Sequence, residues 1–172
     1  MSMPAGKTLS KLSLSLLLLL GLATISAAWG FQLIGGYVPC KLCLEQRVPY
    51  YVGLPLAALA LVLALADRVP ALVGLLLAAV AVAFAYGSGL GIYQAGAEWG
   101  FWPGPSDCGG GTAAPTSAEN LLSALSTTRV VSCTEASWRL FGLSFAGWNA
   151  VASAALAALA LVALVARRRK QA

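Results

Sequence analysis

Four long apolar runs divide the chain, and polar stretches separate them. Leu9 to Trp29 is the first. The others run from about Arg47 to Ala66, from about Ala71 to Tyr93 and from about Phe145 to Ala166. A helix rises 1.5 Å per residue, so a bilayer core needs about 20 apolar residues, and each run is long enough. The pattern predicts an all-α membrane protein. Its fold is a four-transmembrane-helix bundle forming one domain over residues 1–172, with spans at about 9–29, 47–66, 71–93 and 145–166. Ser26-Ala27-Ala28 resembles a signal-peptide cleavage site, but the run before it exceeds the usual h-region of about 7–15 residues.

The connections differ in kind. Residues 30–46 form a short loop; Gly35-Gly36 and Pro39 argue against helix there. Asp67-Arg68-Val69-Pro70 reads as a tight connector, with Pro70 opening the next helix. Pro49 falls in the first turn of the second span, and Pro55 is expected to kink it. Residues 94–144 form a long polar loop. Trp138, Phe141, Phe145 and Trp148 recur at helical spacing, which predicts a short interfacial helix near the end of that loop.

Charge then orients the spans. The termini and the Asp67-Arg68 connector share one side, carrying Lys7, Lys11, Arg68, Arg167, Arg168, Arg169 and Lys170 against Asp67 alone. The other side carries Lys41, Arg47, Arg129 and Arg139 against Glu45, Glu98, Asp107, Glu119 and Glu135. Basic residues favour the cytoplasm, so the termini are expected inside and all four cysteines outside.

Composition agrees. The chain is 59% hydrophobic and 10% charged, where a soluble domain carries about 25%. The pI near 9.3 owes much to the C-terminal basic cluster, which suits topology and membrane lipid, not nucleic acid. The chain has no histidine, which removes His-ligated haem, Cys/His zinc and a histidine base.

Four cysteines carry the candidate chemistry. Cys40 and Cys43 form a Cys-x-x-Cys pair, with Arg47 four residues on. Such pairs often have lowered thiol pKa values. A following helix N-terminus, Lys41 and Arg47 would each favour a thiolate. If the helix already includes Cys43, then Cys43 and Arg47 share one face, and the guanidinium can hold a thiolate or an anionic ligand. A plain crosslink is the competing reading. A four-cysteine zinc site fits poorly, because only one pair has close spacing.

Cys108 and Cys133 have 24 residues between them. A disulfide there would stabilise the loop by roughly 3 kcal/mol. An exchangeable bond is the other reading. Cys108 stands between Asp107 and Gly109-Gly110-Gly111, open to another protein. The Asp107 charge suits a sulfur that is attacked more than one that attacks.

The chain resembles the DsbB family of bacterial inner-membrane disulfide-generating proteins. The resemblance lies in Pro39-Cys40-Lys41-Leu42-Cys43 with Gln46-Arg47, and in Tyr93-Gln94-Ala95-Gly96-Ala97-Glu98. It continues through Trp102-Pro103-Gly104-Pro105, Cys108, Cys133, Gly142-Leu143-Ser144 and Gly147-Trp148-Asn149, nearly the whole chain. It implies a relay. A periplasmic thioredoxin-like dithiol of the DsbA type attacks a Cys108–Cys133 disulfide at Cys108. Cys133 then exchanges with Cys40. Cys43 is freed as a thiolate and reduces a membrane quinone, ubiquinone or menaquinone, with Arg47 stabilising the thiolate–quinone charge-transfer pair. The quinol returns to the membrane pool.

Established potentials for such proteins, not read from this chain, show why a quinone is needed. A structural disulfide lies below about −300 mV and DsbA near about −120 mV, so an ordinary disulfide is roughly 8 kcal/mol short of oxidising it. One departure stands out: many relatives have histidine where this chain has Gln94, which excludes an imidazole proton route, so either Glu98 or water replaces it or the quinone type differs. Two other readings remain. A vitamin K epoxide reductase-like relay has the cysteine pairs in the reverse order. A non-enzymatic membrane scaffold would keep two inert disulfides.

Overall fold

The structure is a computed structural model, and it describes residues 5–105 and 133–168. Its helices are α1 (Ala5–Leu33), the single turn α2 (Lys41–Glu45), α3 (Val48–Leu65), α4 (Pro70–Glu98) and α5 (Phe145–Arg168). A two-stranded antiparallel hairpin, β1 (Arg139–Leu140) and β2 (Leu143–Ser144), precedes α5 and pairs Arg139 with Ser144. Among the described residues, four helices are long and apolar enough to cross a membrane: α1, α2 with α3, α4, and α5.

The core runs along the bundle axis. Leu14, Leu17, Leu54, Leu77, Phe84 and Leu156 meet there, with Ala57, Ala60, Ala160 and Ala163 filling the narrow gaps. Outward faces carry exposed Leu12, Leu19, Val62, Leu75 and Val82, as expected where lipid replaces water. One close seam joins α4 and α5. A Cβ on Gly91 would lie 2.8 Å from the Ala146 carbonyl oxygen and 2.8 Å from the Ala150 nitrogen. Beside it, the Ser88 hydroxyl donates to the Ala150 carbonyl at 3.0 Å.

Backbone chemistry sets the helix ends, and three differ from the sequence expectation. First, α1 continues through Phe31–Leu33, which the loop was expected to claim. Second, α4 continues through Gln94 and Glu98. Polarity at Gln94 suggested a loop, but alanines at positions 95 and 97 sustain the helix and Gly100 ends it. Gly100 has φ +75°, with Phe101 N–H donating to Gly96 and Gly100 N–H to Ala97, a Schellman closure. Third, residues 138–144 form a hairpin and not an interfacial helix. Phe141 and Gly142 have φ +51° and +83°, the backbone of a two-residue hairpin turn, so the aromatic spacing was not helical there. The Ser144 hydroxyl then accepts from Gly147 N–H and caps α5.

The connector between α3 and α4 closes in the same way as Gly100. Asp67 has φ +52°, and Arg68 N–H reaches the Leu63 carbonyl. The Lys7 ammonium lies 2.9 Å from Asp67, tying the start of α1 to this turn and holding the carboxyl below its ordinary range. Pro55 lies inside α3, which continues through it.

The α4–α5 seam yields a prediction. Gly91→Ala should destabilise the protein by about 1–3 kcal/mol, because backbone and not a flexible side chain must give way. The check is the thermal unfolding midpoint of purified protein in detergent. An unchanged midpoint would mean that the two helices part freely.

Candidate functional site

The Cys-x-x-Cys pair sits at the junction of α2 with the loop before it. Cys40 is the N-cap of α2, and its sulfur accepts the Cys43 N–H at 3.1 Å. Cys40 and Cys43 form a disulfide with Cα atoms 5.0 Å apart. Cys40 is fully buried, whereas Cys43 is half-buried and opens onto a cavity. Cys133 is also buried and disulfide-bonded, and it packs with Cys40 and Leu42, against Cys43 and Leu90. Three of the four expected cysteines therefore meet in one cluster. Cys108 lies outside the described residues.

Local packing positions Cys133. The segment after α4 folds back, with Trp102 stacked on Tyr93 and donating its indole N–H to the Tyr93 carbonyl at 2.8 Å. Trp102 lies over Gly96, where any side chain would collide with its ring. Gly104 in turn lies against Thr134, the neighbour of Cys133.

Arg47 departs from its expected geometry. α2 ends at Glu45, and Arg47 is the N-cap of α3. Pro49 cannot donate to the Glu45 carbonyl, and Arg47 N–H bonds three residues back, to Leu44. Gln46 and Arg47 form the turn between α2 and α3 with right-handed helical dihedrals, so Arg47 still follows Cys43 by about one turn, but its side chain leaves the sulfur. The guanidinium is buried and turns to α1. It donates to Gln32 Oε1 at 2.6 Å and to the Ala28 carbonyl at 3.5 Å, and it stands 5.1 Å from the Trp29 ring centroid.

Both groups still face one cavity of about 500 Å³, the size of a small-molecule site. Its walls are mostly apolar. Phe31, Tyr37, Trp138 and Phe145 form an aromatic cluster on one side, with Trp138 stacked on Phe145 at 4.8 Å. Cys43, Arg47, Gln46, Gln94 and Glu98 supply polar chemistry.

The sequence reading gave no role to a chain of polar side chains behind the cysteines. The Tyr50 hydroxyl donates to Asn149 Oδ1 at 2.9 Å and lies 3.2 Å from Ser153 Oγ. Asn149 Nδ2 donates to Gln46 Oε1 at 2.7 Å, and Gln46 Nε2 to Gln94 Oε1 at 2.6 Å. Gln94 Nε2 faces Glu98 Oε1 at 3.3 Å, Cys43 Sγ at 3.5 Å and Cys40 Sγ at 3.6 Å. The other Glu98 oxygen is buried and has no hydrogen-bond partner among the described residues. Polar residues within membrane spans are costly and commonly functional, a signal that would have singled out Tyr50, Asn149 and Ser153.

The described residues hold no cluster of three metal-ligating groups. Fold and site together define a helical-bundle membrane protein with a buried sulfur cluster beside a mostly apolar cavity. A family model described as "Disulfide bond formation protein DsbB" matches residues 10–163, and the chain belongs to that DsbB family of membrane disulfide-generating oxidoreductases. Comparison with curated proteins and with solved structures found no match.

Differential burial predicts differential reactivity. After reduction, a small apolar maleimide should label Cys43 at least ~10-fold faster than Cys40, since access as well as thiolate character governs the rate. Mass spectrometry of the labelled peptides reads this out. Equal rates would contradict the asymmetry.

Proposed function

We propose that the protein passes electrons from a periplasmic DsbA-like dithiol through its cysteines to a membrane quinone, renewing the oxidant that forms disulfide bonds in other proteins. The observation that carries this reading is the meeting of Cys133 with Cys40 behind a cavity lined by Cys43. Inert crosslinks would not require a second disulfide packed on the first, with one sulfur turned to an apolar chamber.

The cavity suits a quinone head. The aromatic cluster supplies flat apolar surface. Arg47 has five N–H donors, and two contacts, to Gln32 and Ala28, leave donors for a carbonyl oxygen. A bound quinone supplies a two-electron, two-proton acceptor; ubiquinone and menaquinone share that chemistry.

The residues divide the work as follows. The partner's thiolate attacks Cys108 of a Cys108–Cys133 disulfide, and Cys133 leaves as a thiolate. Cys133 attacks Cys40; that S–S bond forms as Cys40–Cys43 breaks, and Cys43 takes the electron pair. Cys43 is the sulfur that opens to the cavity, so it delivers the electrons. Arg47 orients and polarises the acceptor from the start of α3, where its guanidinium turns toward α1, and is not a direct partner of the Cys43 sulfur. The charge distribution and the family both support an inner-membrane location with cytoplasmic termini and periplasmic cysteine loops.

Three variants test the reading in purified protein with quinone and a reduced thioredoxin-like partner. Cys43→Ser should abolish quinone-dependent turnover; full retention would sink the proposal. Arg47→Ala should raise the apparent quinone KM about tenfold or more while moving the unfolding midpoint less, since a charge-assisted hydrogen bond is lost. An unchanged KM would remove Arg47 from the acceptor site. Cys108→Ala should block reduction by the partner yet leave chemically reduced Cys40 and Cys43 able to react with quinone.

A further inference from the structure

The polar chain behind the cysteines has a direction. Glu98 Oε1 accepts from Gln94 Nε2 at 3.3 Å, which places the Gln94 amide N–H₂ on that side. Gln94 Oε1 then faces Gln46 and accepts from Gln46 Nε2. Gln46 Oε1 accepts from Asn149, and Asn149 Oδ1 accepts from the Tyr50 hydroxyl. Turning Gln94 or Gln46 over would set donor against donor on one side and acceptor against acceptor on the other. Gln94 and Gln46 are both buried, where such mismatches are costly.

The result is that Gln94 Nε2 is held toward both sulfurs, 3.5 Å from Cys43 and 3.6 Å from Cys40. A disulfide sulfur is a weak acceptor. The contact gains strength only when Cys43 becomes anionic, as charge-assisted hydrogen bonds do. The charged groups around Cys43 are Arg47, Glu98 and Glu135 on the cavity wall, with Lys41 and Glu45 on its own turn. The Arg47 guanidinium turns to Gln32 and Ala28, and the side-chain donor within reach of the sulfur is the neutral Gln94 amide.

We propose that Gln94 is a catalytic residue that stabilises the Cys43 thiolate, and that Gln46, Asn149 and Glu98 are positioning residues that keep its N–H₂ aimed at the sulfur. The proposal rests on the relay described above, because Cys43 must leave as a thiolate when Cys40 is attacked. In that step the Cys133–Cys40 bond forms, the Cys40–Cys43 bond breaks, and the electron pair stays on Cys43 with no proton transferred. The amide lowers the cost of that charge without taking a proton, which suits a chain with no histidine.

The test uses full-length protein carrying Cys40→Ser, freed of quinone by extraction. The alkylation rate of Cys43 near neutral pH, divided by the rate at strongly alkaline pH, reports thiolate fraction and cancels changes in access. Gln94→Leu should lower this ratio about tenfold, the scale of one charge-assisted hydrogen bond. Gln46→Leu, which retains Gln94 but frees its amide to turn, should lower it by a smaller factor, and it carries the test alone if the Gln94 variant does not fold. An unchanged ratio in either variant overturns the proposal. Quinone-dependent turnover of the wild type is measured separately. Its absence would defeat the relay and leave the alkylation result standing.

Discussion

A buried amide in an apolar bundle must find partners for both its ends, and much of the site depends on how this chain meets that demand. Gln46, Gln94 and Asn149 sit where lipid-like packing offers them little else. Each amide has a donor end and an acceptor end, so a row of them adopts one of two directions. The Glu98 carboxylate selects the direction, and the Tyr50 hydroxyl completes it by donating. Because these residues come from α2 with its cap, α3, α4 and α5, the same row that orients Gln94 also fixes the registers of those helices.

That order gives the sulfur cluster its asymmetry. Cys40 faces inward to Cys133, and Cys43 faces the cavity, although they are neighbours on a single turn. The turn after α2 lets this happen. Without a donor at Pro49 the chain reorganises at Gln46 and Arg47, which sends Gln46 to the amide row and Arg47 to Gln32. Two successive residues thus serve opposite walls of the site. The Trp102 segment folds back on Tyr93, and Trp148 ties α5 to the hairpin by donating its indole N–H to the Leu140 carbonyl.

The four spans were legible because a 20-residue apolar requirement leaves a coarse, strong signal. The Cys-x-x-Cys pair was legible for a similar reason, as rare residues at short spacing. What escaped was geometry that depends on single backbone positions. The Trp138 to Trp148 aromatics fit a helical period, yet Gly142 and Phe141 turn the chain into a hairpin first. Gln94 read as the start of a loop because it is polar, while Gly100, the actual stop signal, went unused. Arg47 was expected beside Cys43, but its guanidinium turns to Gln32 and Ala28 of α1, a contact between helices that no local pattern shows. Gln46 and Asn149 were noticed for resemblance alone, since their pairing links residues 103 apart in sequence and no local pattern shows it.

The central claim is that Cys133 and Cys40 are exchange partners, joining the long loop to the cavity. The most direct measurement is a disulfide map of full-length Cys43→Ala protein, in which Cys40 has lost its neighbour. The account predicts a bond between Cys40 and Cys133. A map in which Cys40 stays free, or is joined to Cys108 instead, would contradict it.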